Sequence, residues 1–224
     1  MLEILYEDNH LIAVNKMAGD LVQGDQTGDE PLVEKVKTYI KKKYNKPGAV
    51  FLGVIHRLDR PTSGVVLFAR TSKFLARMNQ QFKERKTDKI YWAIVSPSIS
   101  PPTITLTHWL KRNPKMNKSF AHDREINESK KAILHYKKIK NLDHYAVLEI
   151  TLETGRHHQI RSQLTHIGFP IKGDLKYGAK RSNPDSSIDL HARSLTIDHP
   201  TTKERVCITA PPPAKPEWSF ALSD

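Results

Sequence analysis

One carboxylate in this chain stands in an unusual place. In Val54-Ile55-His56-Arg57-Leu58-Asp59-Arg60-Pro61-Thr62-Ser63-Gly64, Asp59 sits between two arginines and just ahead of a proline turn. Taken by itself the string has two readings. Asp59 can be a turn residue that accepts backbone N–H bonds beside solvated arginines, or a reactive carboxylate held on a rigid loop. A second stretch, Gly155-Arg156-His157-His158-Gln159-Ile160-Arg161, crowds cations and imidazoles into seven residues, and Tyr91 in Lys89-Ile90-Tyr91-Trp92-Ala93 offers a flat phenol with a hydroxyl. A strand tyrosine read alone is core. The histidines His157, His158, His166 and His191 lack paired cysteines and the His-Glu-x-x-His spacing, so no metal site is expected, and His56 and His158 read as hydrogen-bonded packing residues.

These residues need elements to position them. The apolar run 64–69 reads as a buried strand and Pro61-Thr62-Ser63-Gly64 as turn chemistry, which puts Asp59 on a tight loop feeding a sheet. Upstream, 2–6 and 11–15 are strand-like runs about a polar segment of hairpin length. After a loop at 19–30, Pro31 opens a helix with Leu32, Val33, Val36, Tyr39 and Ile40 at helical spacing. Its Lys35, Lys37, Lys41, Lys42 and Lys43 fall on the outer face, solvated by default or in contact with the phosphates of a polyanion.

Ser72 is placed to cap a second helix with an apolar stripe of Leu75, Met78 and Phe82. Residues 89–95 read as a strand, ended by the proline-rich loop 96–102. Residues 109–130, with Lys111, Arg112, Lys115 and Lys118 and few apolar anchors, read as an exposed hairpin or long loop. Residues 132–139 and 145–152 pair about a turn at 141–143. Ile160, Leu164 and Ile167 share a helical face closed by Gly168, with Arg161 near its buried edge. A loop at 169–178 and a polar insert at 180–189 precede 190–197 and 206–209, which complete the sheet. No internal repeat or linker is visible, so residues 1–224 read as a single domain.

The string His56-Arg57-Leu58-Asp59, followed by Thr62-Ser63-Gly64 and Ala69, resembles the active-site signature of the RluA-type pseudouridine synthases, which isomerise uridine in structured RNA. The likeness continues in order along the chain. Tyr6-Glu7-Asp8 through Asn15-Lys16 is similar to the family's first strands, and Lys89-Ile90-Tyr91-Trp92-Ala93 to its second motif. Gly155 to Arg161 and Gly173-Asp174 with Tyr177-Gly178 resemble its third motif, and Leu190-His191-Ala192 with His199-Pro200 its C-terminal signature. Met17 departs from the usual proline and Gln163 from the common histidine, and the chain has no room for the N-terminal S4 RNA-binding module many relatives bear.

The resemblance implies a reaction without a cofactor, in which uracil leaves the ribose C1′, rotates and rejoins through C5. Asp59 would add to the sugar or deprotonate it, and the motifs do not choose between these. Arg161 would be its charge partner, since guanidinium geometry suits a two-pronged contact, and Tyr91 would stack on the base. A uridine held in a duplex must first be extruded. The same motifs gather His56, Arg57, Arg60, Thr62, His158 and Gln159 around the substrate, with Arg57 the side chain expected to hold the RNA open. The implied fold is α+β, a curved, mostly antiparallel mixed sheet with flanking helices.

Composition sets outer bounds. The 224 residues carry 36 Lys+Arg against 24 Asp+Glu, a net charge of +12, and this balance suits a polyanion. RNA, DNA and an anionic membrane all fit on charge alone. No apolar run approaches the ~18 residues of a membrane span, and the N-terminal residues lack signal-peptide order, so a soluble cytoplasmic protein is expected. A lone Cys207 excludes an intramolecular disulfide and reads as a small buried hydrophobe. The resemblance, not the charge, makes ribosomal or transfer RNA the expected partner, acted on by a monomer without membrane or metal. A catalytically silent RNA-binding protein on the same scaffold is the competing reading.

Overall fold

A computed structural model describes residues 2–25 and 28–221, so Gln26 and Thr27 of the loop at 19–30 lie outside the described residues. The chain divides into two compact units, and each contributes antiparallel strand pairs to an 11-stranded sheet. One takes the chain up to Asp88 and again Ala192–Ala214; the other takes Lys89–His191 and Lys215–Phe220. Among the described residues no helix is long and apolar enough to cross a membrane.

The first unit opens with β1 (Glu3–Glu7) and β2 (Leu11–Lys16), paired antiparallel, with Asp8 turning the chain by accepting the N–H groups of His10 and Leu11, both at 2.7 Å. Helix α1 (Leu32–Lys43) follows Pro31, buries Leu32, Val33, Val36 and Ile40, and presents its lysines outward. Three of those lysines are engaged: Lys35 pairs with Asp20, Lys37 with Glu34 and Lys43 with Glu7. Strand β3 (Gly53–Val54) and β4 (Ser63–Ala69) come next, and β4, buried throughout, pairs with β2 from Leu11↔Ala69 to Lys16↔Gly64.

Helix α2 (Ser72–Lys83) is capped by Thr71, whose hydroxyl accepts the Phe74 N–H at 3.2 Å. The expected cap, Ser72, is instead the first helical residue; Thr71 holds the extended backbone a cap requires. Phe74 and Met78 bury the inner face of this helix.

In the second unit β5 (Asp88–Val95) pairs with β9 (Ala146–Leu152), β9 with β8 (Lys130–Asn141), β8 with β6 (Thr103–Asn113), and β6 with β7 (Lys118–His122). The stretch 109–130 is thus a hairpin grown from a long strand that starts before Trp109. Helix α3 (Gln159–His166) lays Ile160 and Leu164 onto a core with Ala93, Leu134, Leu148 and Ile150.

The insert 180–189 is polar in composition but turns inward. Asn183, Ser187 and Asp189 are buried, and Lys172 Nζ donates to Asn183 Oδ1 and Asp189 Oδ2, both at 2.8 Å. Burial of these groups is tolerated because each has a partner.

Strand β10 (Leu190–Asp198) pairs antiparallel with β11 (Arg205–Thr209), returning the chain to the first unit. Cys207 is exposed rather than buried: along β11, Ile208 faces the core, and the alternation of a strand turns Cys207 the other way. Gly64 begins the buried run of β4 at φ +117°, and a Cβ there would lie 2.3 Å from the carbonyl oxygen of Ala192, so only glycine admits this close backbone approach.

Candidate active site

The Asp59 loop is fixed from below by a buried lysine. Lys16 ends β2, its side chain is fully buried, and its Nζ donates to three carbonyls: Thr62 at 2.6 Å, Arg60 at 3.0 Å and Met17 at 3.0 Å. The Gly19 N–H adds a second bond to the Arg60 carbonyl at 2.8 Å, and the Thr62 N–H closes a turn on the Asp59 carbonyl at 3.0 Å. Residues 59–62 are therefore held through their own backbone. Burial pushes the Lys16 ammonium down to about 8, while the carboxylates of Asp20 and Asp59 act in the other direction.

Along this loop the expected substrate residues divide. Arg57 and Arg60 are exposed, and Arg60 pairs with Asp29 at 2.6 Å. Asp59 is half-buried. His56 accepts the Leu67 N–H on Nε2 at 3.1 Å and stacks on Phe82 at 5.3 Å, which ties the start of the loop to β4 and α2. Thr62 is 2% exposed, and its backbone carbonyl accepts from Lys16 Nζ.

The second group centres on the start of α3. Arg161 is 4% exposed and makes a two-pronged ion pair with Asp174, Nε to Oδ2 at 2.7 Å and Nη2 to Oδ1 at 2.9 Å. Its guanidinium lies 4.9 Å from the centre of the Tyr177 ring. The Tyr177 hydroxyl accepts the Ser119 N–H at 2.8 Å and sits 3.0 Å from His158 Nδ1.

His158 enters the helix with φ +53°, a left-handed conformation that costs a non-glycine residue about 1 kcal/mol or more. This turn stacks its ring on His157 at 3.8 Å, and His157 Nδ1 lies 2.9 Å from Ser119 Oγ. Gln159 is buried; its carbonyl oxygen accepts from Thr154 Oγ1 and the Arg156 N–H, and its amide donates to the Ile133 carbonyl, so its side chain ties its own loop to β8. Tyr91, in β5 opposite Ile150, is half-buried against the core of this unit.

Lys16 and Asp174 stand in the motifs without a role that their neighbours reveal: besides the adjacent Met17 carbonyl, the partners of Lys16 come from 44 and 46 residues away, and that of Asp174 from 13.

A separate cluster brings donor atoms of His108, Asp123 and His166 within 4.8 Å of one another. Gln163 Nε2 donates to His108 Nδ1 at 3.0 Å, which leaves the ring proton of the neutral imidazole on Nε2, turned toward Asp123. His166 Nε2 lies 2.7 Å from Asp123 Oδ1. His108 Nε2 stays 3.8 Å from Asp123 Oδ1, and burial, followed by the neighbouring His166, lowers the pKa of His108.

Comparison with known proteins bears on the family and the fold. A family model described as RNA pseudouridylate synthase matches residues 10–166. The chain is 33% identical to the ribosomal large subunit pseudouridine synthase C of Buchnera aphidicola, over 93% of this chain and 66% of that protein. It is 34% identical to the tRNA pseudouridine synthase C of Haemophilus influenzae, over 94% of this chain and 92% of that protein. It thus spans about two-thirds of the first relative and nearly all of the second. Human RNA pseudouridylate synthase domain containing 4 has the same fold, with a TM-score of 0.80 at 22% identity, covering 98% of this chain and 92% of that one. The motifs and the matched span together make this chain a member of the RNA pseudouridylate synthase family, of the RluA type.

Proposed function

We propose that this protein isomerises uridine to pseudouridine in structured ribosomal or transfer RNA, without a cofactor, with Asp59 as the reacting carboxylate. The bond from C1′ to N1 breaks, a bond from C1′ to C5 forms, N1 gains a proton and C5 loses one. Asp59 stabilises or captures the sugar while the base turns. Arg161 is its charge partner and Tyr91 the group that stacks on the detached base. Arg57, exposed beside Asp59, takes the place of the extruded nucleotide.

The observation that carries the reading is the backbone clamp on residues 59–62, because a carboxylate that must meet a mobile base needs a loop that does not move. Family membership and the net charge of +12 support it. Both units serve a single catalytic domain in this reading, since the chain passes between them repeatedly and the family match runs across the boundary at Asp88. The protein works as a cytoplasmic monomer on RNA.

Release of tritium from RNA carrying [5-3H]uridine tests the proposal. The parent protein releases label and Asp59→Asn releases none while binding the same RNA within about twofold. Turnover by Asp59→Asn overturns the role of the carboxylate. RNA binding by the parent without any release from ribosomal or transfer RNA favours the catalytically silent binder.

A further inference from the structure

We infer that Asp174 is a positioning residue for the isomerisation: it sets the plane and direction of the Arg161 guanidinium, and Tyr177 provides the floor beneath it. The inference rests on the reading of Arg161 as the charge partner of the reacting carboxylate. An arginine side chain turns about several bonds, and leaving it free to do so costs order at the moment of reaction. Here two of its nitrogens are bound to the two oxygens of one carboxylate at 2.7 and 2.9 Å, which fixes the guanidinium plane as a single contact would not. The ring of Tyr177, 4.9 Å from the guanidinium carbon, restricts the remaining motion.

Asp174 is itself rigid. It is 1% exposed, its N–H donates to the Ile171 carbonyl at 3.0 Å, and its carbonyl accepts from Tyr177 and Ala179. Gly173 before it has φ +86°, and a Cβ there would meet the Ser187 carbonyl oxygen at 2.7 Å, so the turn that delivers Asp174 is packed against the inward-facing insert. Tyr177 is fixed as firmly, by Ser119 from β7 and His158 from the start of α3. One turn therefore supplies both the carboxylate and the ring that face the guanidinium, and two further segments hold that ring in place. A buried ion pair replaceable by apolar packing would not need this degree of orientation.

The test compares Asp174→Asn, Asp174→Glu and Arg161→Met with the parent, reading single-turnover tritium release, RNA affinity and thermal unfolding. Asp174→Glu keeps the charge and moves the carboxylate by one methylene, so it folds even where Asp174→Asn, which leaves a buried guanidinium unpaired, does not. The expected result is a loss of at least tenfold in kcat for Asp174→Glu with RNA affinity within about twofold of the parent. Adding Asp174→Glu to Arg161→Met should change kcat by less than about twofold, since the residue acts through the arginine. Parental kcat in Asp174→Glu overturns the inference, as does full additivity of the two substitutions. An active Arg161→Met fails the underlying reading instead, which separates the two.

Discussion

Replacing Lys16 by methionine isolates the clamp under Asp59. The substitution keeps the length of the side chain and removes three donated hydrogen bonds. The carbonyls of Met17 and Thr62 then lose this donor, whereas that of Arg60 keeps the Gly19 N–H at 2.8 Å. At about 1–3 kcal/mol for each acceptor left without a donor, the loss is about 2–6 kcal/mol. Against it, burial lowers the ammonium from 10.5 to about 8 in the parent, a penalty of about 3 kcal/mol that methionine does not carry.

The two effects leave Lys16→Met between about 1 kcal/mol more stable and about 3 kcal/mol less stable than the parent, which most domains survive. Catalysis should suffer more: kcat in single-turnover tritium release should fall at least tenfold, with RNA affinity within about twofold. The sign of the pH effect follows from the same burial. Unfolded Lys16 keeps its proton up to about 10.5 and folded Lys16 releases it near 8, so between these values the unfolded chain binds more protons. This group therefore makes parent stability rise with pH across that window, by about 3 kcal/mol, and the rise is missing from Lys16→Met. Urea unfolding of both proteins from pH 7 to 10.5 measures the difference. A variant with parental kcat, or two proteins with parallel stability profiles, would refute the reasoning.

Two other outcomes follow from the geometry. Gly64→Ala forces a Cβ against the backbone of Ala192 at a φ of +117°, so stability should fall by about 2–6 kcal/mol; urea unfolding that shows a loss below about 1 kcal/mol contradicts the close approach. RNA affinity should fall steeply with salt, and Arg112→Gln with Lys115→Gln should flatten the slope of log K against log salt by about 1–2, because these exposed cations sit on the hairpin whose Ser119 adjoins Tyr177 and His157. Lys41→Gln with Lys42→Gln serves as the comparison and should leave the slope unchanged. The reverse pattern would move the phosphate contact to α1.

The sequence by itself determined a good deal here, and for local reasons. The apolar run of β4, the periodicity of α1 and α3 and the turn at 61–64 are written in neighbouring residues, so strands, helices and the loop of Asp59 could be placed before any coordinates. The motif from His56 to Gly64 identified the family for the same reason, since its residues are contiguous.

Tertiary structure decided what each side chain is used for. Thr62 and Gln159 stand in the right motifs, and folding buries both: Gln159 spends its amide on the loop it occupies, while Thr62 gives its backbone carbonyl to Lys16. Cys207 has the composition of a core residue and faces out because a strand alternates. Lys16 and Asp174 carried no local signal, since a buried ammonium or carboxylate is defined by partners that only folding brings within 3 Å, and no spacing along the chain encodes that distance.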